Sequence, residues 1–175
     1  MNFYKAQNNI DKSCEFDENL YLLRQLDFFS DLPLETIKIF AYLCIRETYT
    51  RDDYLFQQNI DDGKAFYIIS GHVKLICNDE KEEQLIRIYE KGVFLGGLAL
   101  VGKIPRLFSL KALTKAVCLT ITREKFLKAV RQLPELMPNV FQSIVESIYT
   151  SERVFFYKHA KNCQYCKQKT ILTFL

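Results

Sequence analysis

Between Arg46 and Thr122 apolar and polar residues alternate in eight short runs: TYT, YLFQQ, AFYIIS, HVKLIC, QLIRIY, VFLG, FSLKAL and AVCLTI. Alternation with period two sends successive side chains to opposite faces of a strand, and the Tyr, Phe, Ile and Val that fill these runs suit a pleated surface. Asp62-Gly63, Ser70-Gly71 and Asn78-Asp79 punctuate them as tight turns. Strands of this number and spacing predict a roll or barrel. The flanks follow a helical period instead. Leu22, Leu26, Ile37, Phe40 and Leu43 have helical spacing, broken at Ser30-Asp31-Leu32-Pro33, which predicts two short helices with Ser30 or Asp31 capping the one that starts near Pro33. Thr122 is placed to cap a further helix, with Arg123, Glu124 and Lys125 in its first turn.

Pro134 and Pro138 then mark a break and a fresh start. From there Met137, Val140, Phe141, Ile144, Val145 and Ile148 recur at intervals of three and four, and the stripe continues to Phe155 and Phe156. A helix of about 22 residues runs roughly 33 Å at 1.5 Å per residue, longer than a small roll needs to cover itself. An apolar end left exposed seeks a twin, so the pattern favours a homodimer held through this helix, with Met137, Val140, Phe141, Ile144, Val145, Ile148 and Phe155 in the interface.

Composition narrows the class. With 175 residues, 49% of them hydrophobic, the chain is long enough for one sizeable core. No apolar run reaches the 18 residues of a membrane span and the N-terminus lacks a signal core, which predicts a cytoplasmic protein that does not enter a membrane. Twenty-four basic and 21 acidic residues are too evenly matched to mark a nucleic-acid binder by bulk charge. The basic residues do gather beyond Arg153, where Lys158, Lys161, Lys167 and Lys169 follow with no acidic residue among them.

Candidate chemistry concentrates in GVFLGGLALVGKIPRLFSLKAL, residues 92 to 113. A strand leads into a Gly-rich turn and a short apolar helix, and Pro105-Arg106 opens the next strand. Backbone N–H groups at Gly96, Gly97 and Leu98 at a helix start, together with the guanidinium fork of Arg106, form a predicted cradle for one anionic group. Elsewhere, Asp52-Asp53 and Asp61-Asp62 fall at turns, where solvated caps are the expected role. His72, in a predicted strand, and His159 are the two histidines, and no Ser or Cys has neighbours that mark an activated nucleophile, so a non-enzyme is expected. Cys14, Cys44, Cys77 and Cys118 are widely spaced and read as small neutral residues. Cys163 and Cys166 form a C-x-x-C pair, a candidate metal or redox site, but His159 alone stands near enough to join them and a tetrahedral site needs two further ligands.

Phe94-Leu95-Gly96-Gly97-Leu98-Ala99-Leu100 and Pro105-Arg106-Leu107-Phe108-Ser109 resemble the two halves of the phosphate-binding cassette of cyclic-nucleotide-binding domains, FGE(L/M)AL and PR(A/T)A(S/T). The order of elements, with Leu26-Asp27-Phe28-Phe29-Ser30 ahead of the roll, Gly63 followed by Phe66-Tyr67-Ile68-Ile69-Ser70-Gly71 within it, and Ile121-Thr122-Arg123 after it, is similar to the effector domain of the catabolite activator/FNR (Crp/Fnr) family of transcription regulators. The resemblance implies an α+β fold: a cyclic-nucleotide-binding-like β-roll, or double-stranded jelly roll, with N-terminal helices and a long C-terminal dimerisation helix. It implies a ligand pocket formed by Gly96, Gly97, Leu98, Ala99, Arg106 and Leu107, with Thr150 and Ser151 where the family's hydroxyls reach the adenine. One departure is decisive for the ligand. The family's Glu, which accepts from the ribose 2′-OH, falls here on Gly97. Losing a charge-assisted hydrogen bond of about 1.5–3 kcal/mol weakens binding roughly ten- to hundred-fold.

The resulting expectation divides the chain into a flexible N-terminus (1–16), a β-roll domain with flanking helices (17–133), a dimerisation helix (134–160) and, at 161–175, the start of a winged-helix domain or a tail. The functional expectation is an effector-sensing and dimerisation domain of a Crp/Fnr-type regulator, without a complete DNA-binding domain and not a tight cyclic-AMP binder. Its effector is a cyclic nucleotide or another small anion, or none, and DNA binding requires a winged helix beyond Leu175. Two alternatives stay open. One is a stand-alone dimerisation or interaction module with a vestigial pocket; the other is a redox or metal sensor using Cys163 and Cys166.

Overall fold

The computed structural model describes residues 3–26, 29, 32–78, 83–134, 137–139, 141, 142, 144–146, 148 and 149, with side chains from residue 14 onward. Thr150, Ser151, Phe155, Val140, Cys163 and Cys166 lie outside the described residues. In chain order the elements are α1 (Phe3–Arg24), α2 (Leu34–Leu43), β1 (Ile45–Tyr49), β2 (Tyr54–Phe56), β3 (Lys64–Ser70), β4 (Val73–Asn78), β5 (Glu83–Tyr89), β6 (Phe94–Leu95), α3 (Leu98–Val101), β7 (Ser109–Ala112), β8 (Ala116–Thr122) and α4 (Arg123–Gln132). The described residues of 137–149 are helical as well.

The strands form two four-stranded antiparallel sheets, ordered β1-β8-β3-β6 and β2-β7-β4-β5. Alternation along β3 and β8 explains the layering. Ala65, Tyr67, Leu119 and Ile121 face one way and join Phe29, Ile37, Phe40, Leu100, Phe126 and Val130 in a core between sheet and helices. Phe66, Ile68, Ala116 and Cys118 face the other way and meet Leu55, Phe56, Val73 and Leu110 inside the roll. Phe40 stacks on Phe126 at 5.3 Å and meets Phe29 at the same centroid distance, so α2, α4 and the segment ahead of α2 share one aromatic cluster. Truncating a buried Phe of this kind costs about 3–5 kcal/mol.

Local details amend four expectations. Helix α1 begins at Phe3, within the stretch expected to be a flexible N-terminus; residues 3–16 carry no apolar stripe to announce it. The N-cap of α2 is Pro33, which has no side-chain acceptor, and the Pro33 carbonyl accepts from Thr36 and Ile37; Ser30 and Asp31, read as its candidate caps, lie outside the described residues. His72 lies in the turn ahead of β4, exposed, with its carbonyl accepting from Leu113. The carboxylates of Asp61 and Asp62 are not solvated caps but ion-pair partners of Arg123 and Arg106. Thr122 does cap α4 as its spacing predicts, its hydroxyl accepting from Lys125 N–H at 3.4 Å.

Candidate functional site

Strand β6 pairs with β3 through Phe66↔Leu95 and Tyr67↔Phe94, and this register brings the Gly-rich turn over the start of β3. Gly96 has φ +87°, in the left-handed region that favours glycine. A Cβ there would meet Arg106 Nη1 at 2.8 Å and the Lys64 carbonyl at 2.9 Å, so both the backbone and the space demand glycine. Gly97, which caps α3, has an ordinary helical backbone with φ −53°, so nothing in its conformation forbids the glutamate that the resembled cassette carries. The first turn of α3 closes on itself, Ala99 N–H donating to Gly96 O and Leu100 N–H to Gly97 O, both at 3.0 Å. Ala99 is buried, Leu98 is exposed, and Leu107, placed in the pocket by the resemblance, is 75% exposed to solvent.

Arg106 is drawn in by backbone and side chain alike. Its N–H donates to Ile60 O at 3.1 Å and its carbonyl accepts from Asn59 N–H at 2.8 Å, which stitches it to the loop between β2 and β3. Its side chain is 9% exposed. Nε donates to Asp62 Oδ1 at 2.8 Å, Nη2 lies 2.6 Å from the same oxygen, and Nη2 also donates to the Lys64 carbonyl. One face of the guanidinium lies over the Phe56 ring, 4.2 Å from its centroid, a cation–π contact. Asp62 Oδ2 is buried and has no hydrogen-bond partner among the described residues.

A second polar group sits nearby. The Glu47 carboxylate accepts from Tyr49 O–H at 2.7 Å and from Lys64 Nζ at 3.0 Å. Burial alone would raise the Glu47 pKa, but the bonds from Tyr49 and Lys64 and the lysine charge outweigh it and hold the carboxyl below its ordinary value. Burial, followed by Glu47, pushes the Tyr49 phenol well up. On the other side of the loop, Asp61 pairs with Arg123, whose Nε donates to Ala99 O at 2.6 Å. Hydrogen bonding to Arg123 holds the Asp61 carboxyl below its usual range.

The structure therefore brings Gly96 and Arg106 together and adds four residues whose role sequence reasoning missed: Asp62, Phe56, Lys64 and Glu47. The pairing of Asp62 spans 44 positions, so only the adjacent acidic pair hinted at it. Burial pushes the Cys44 and Cys118 thiols up to about 12, Cys77 is half-buried and Cys14 exposed. Among the described residues no group of three or more His, Cys, Asp or Glu is placed to hold a metal, and no helix is long and apolar enough to cross a membrane.

Residues 46–132 match the family model of the cyclic nucleotide-binding domain. Among curated proteins the chain is 33% identical over 118 residues to the cGMP-dependent protein kinase egl-4 of Caenorhabditis briggsae; that match covers 65% of this chain and 16% of the kinase. Among solved structures it resembles the N-terminal domain of a transcriptional regulator from Streptomyces coelicolor A3(2), with a TM-score of 0.67, 19% identity, and coverage of 77% of this chain and 94% of that one. It also resembles the regulatory subunit of a cAMP-independent protein kinase A from Trypanosoma cruzi bound to guanosine, with a TM-score of 0.58, 26% identity, and coverage of 66% and 40%.

Proposed function

Residues 46–132 fold as a cyclic nucleotide-binding domain, and on that premise we propose that this chain is the effector-sensing and dimerisation part of a Crp/Fnr-type transcription regulator. In this reading it is non-catalytic, works in the cytoplasm and does not bind cyclic AMP tightly. The observation that carries the dimer is the helix after the roll. Met137, Phe141, Val145 and Ile148 follow at intervals of four, four and three and are each 41–65% exposed, while Ile144 packs on the helix-side core. A helix that turns four large apolar residues outward and one inward has a face to spare for a second copy.

The effector part of the reading rests on Arg106, a guanidinium held 9% exposed beneath a glycine turn. The T. cruzi neighbour, bound to guanosine, supports a ligand other than a cyclic nucleotide for a domain of this kind. A second reading takes its support from the kinase relative: a regulatory domain that controls another domain of one longer polypeptide, as part of a protein of which this chain would span a small share.

Sedimentation equilibrium separates these readings. The first expects a dimer mass for the wild type and a monomer for Val145→Asp with Ile148→Asp, since a buried, unpaired carboxylate at each position opposes association. A wild-type monomer that binds effector supports the second.

A further inference from the structure

One face of α1 borders a groove. Cys14, Asp17, Glu18, Tyr21 and Leu22 recur at helical spacing along it, a stripe about 12 Å long at roughly 1.5 Å per residue. Arg46 of β1 and Ile69 of β3 close the other side, and the space between has a volume of about 450 Å³, inside the roughly 300–1,000 Å³ of small-molecule sites. The groove lies apart from the cassette. Ile69 stands five residues along β3 from Lys64, whose carbonyl accepts from Arg106, which is about 17 Å at roughly 3.3 Å per residue.

The charges in the groove are unbalanced. Arg46, its cationic lining residue, is neutralised from within the chain: Nη2 donates to Glu18 Oε2 at 2.7 Å, Nε donates to Asn19 Oδ1 at 3.1 Å, and Glu15 Oε1 lies 3.8 Å from Nε. Asn19 is 3% exposed, so this anchor fixes the guanidinium against α1. Asp17 has no ion-pair or hydrogen-bond partner among the described residues, and it leaves the groove with a negative charge to match. Tyr21 follows Asp17 by four residues on the same face and is exposed, which sets an aromatic ring beside that carboxylate. Leu22 and Ile69, both half-buried on the helix-side core, supply an apolar wall.

An aromatic ring attracts a cation through its quadrupole, a neighbouring carboxylate attracts it through charge, and an apolar wall takes up the carbon skeleton that carries it. A ligand carboxylate or phosphate would instead meet Asp17 and Glu18 as like charges. We propose that this groove is a second ligand site, for an organic ammonium with a short apolar body: the cation sits between Asp17 and the Tyr21 ring, and the body lies on Leu22 and Ile69. A ligand seated there braces α1 against β1 and β3. The site is independent of the cassette, since no residue in it depends on what Arg106 binds.

Calorimetry on the whole chain tests the assignment with phenethylamine, a cation at neutral pH, beside its neutral and anionic counterparts 2-phenylethanol and phenylacetate. Modification of Cys14 by methyl methanethiosulfonate, followed by peptide mass spectrometry, reports occupancy, because Cys14 is exposed at one end of the stripe. The amine is expected to bind at millimolar concentration and to slow that modification, the alcohol to bind about two- to fivefold more weakly, and phenylacetate not to bind. Asp17→Asn and Tyr21→Leu, both at exposed positions, are each expected to weaken the amine about two- to fivefold. Equal binding of amine and alcohol, an affinity unchanged in either variant, or binding that leaves Cys14 modification unslowed overturns the proposal, and so does no binding at all. Slower modification at higher protein concentration without amine would place a second copy in the groove and would overturn it too. Titrations with cyclic nucleotides address the cassette separately, so either site can fail without the other.

Discussion

Arg123 and Asp61, 62 positions apart, meet across the loop that also carries Asp62: Arg123 Nη1 donates to Asp61 Oδ2 at 2.8 Å. Through Nε the same guanidinium holds the Ala99 carbonyl of α3 at 2.6 Å, and its backbone N–H donates to Gly63 O at 2.6 Å. One arginine at the start of α4 therefore grips both the loop after β2 and the cassette helix. Since the next residue of that loop, Asp62, holds Arg106, the two acidic neighbours tie the Arg106 guanidinium to α4.

The Asp62–Arg106 pair should behave as a coupled unit. Breaking a buried pair from one side leaves an uncompensated charge and costs about 3–5 kcal/mol, whereas removing both charges costs less than the sum. Urea unfolding of Asp62→Ala, Arg106→Ala and the double variant is expected to give a coupling of about 1–3 kcal/mol. Additive losses would mean that the two side chains do not depend on each other.

The two glycines of the cassette should respond differently to one methyl group. Gly96→Ala strains a left-handed backbone and drives Cβ against Arg106 and the Lys64 carbonyl, an expected loss of about 1–3 kcal/mol. Gly97→Ala keeps a helical φ of −53° and should cost nothing, or add up to about 1 kcal/mol of stability. Equal effects in thermal unfolding would contradict the geometry of the turn.

Glu47 sets a pH dependence of known sign. Its native carboxyl lies below the ordinary value of 4.5, so its contribution is complete above that value and fades as pH falls through it toward the depressed native one. Glu47→Gln should be less stable than the wild type at neutral pH by no more than about 1 kcal/mol, because solvent screens part of the Lys64 pair. The difference should close on acidification below 4.5; a gap that widened there would reverse the assigned shift.

The eight strand runs were legible because alternation, turn glycines and β-branched residues agree, and Gly96 and Arg106 could be singled out because their types are rare at such spacing. Asp62 was not. Its meaning comes from a partner 44 residues away, and a pair of aspartates before a glycine also suits a solvated turn. Glu47 and Lys64 were overlooked although each stands at an inward position of an alternating strand, where a charge among Tyr49, Phe66 and Ile68 signals a buried pair. Helix α1 could not be read back to Phe3 because a helix without an apolar stripe leaves no periodic trace.

The claim at the centre of this account is that the domain does not bind a cyclic nucleotide tightly, because Gly97 stands where the resembled cassette has its carboxylate. Titrating the wild-type protein with cyclic AMP and with cyclic GMP in a calorimeter measures it most directly. Without that carboxylate the ribose hydroxyl loses a charge-assisted acceptor, and the account predicts no binding at micromolar concentrations for either nucleotide. A micromolar or tighter dissociation constant that disappears in Arg106→Ala would show that the carboxylate missing at Gly97 is compensated elsewhere, and would contradict the account.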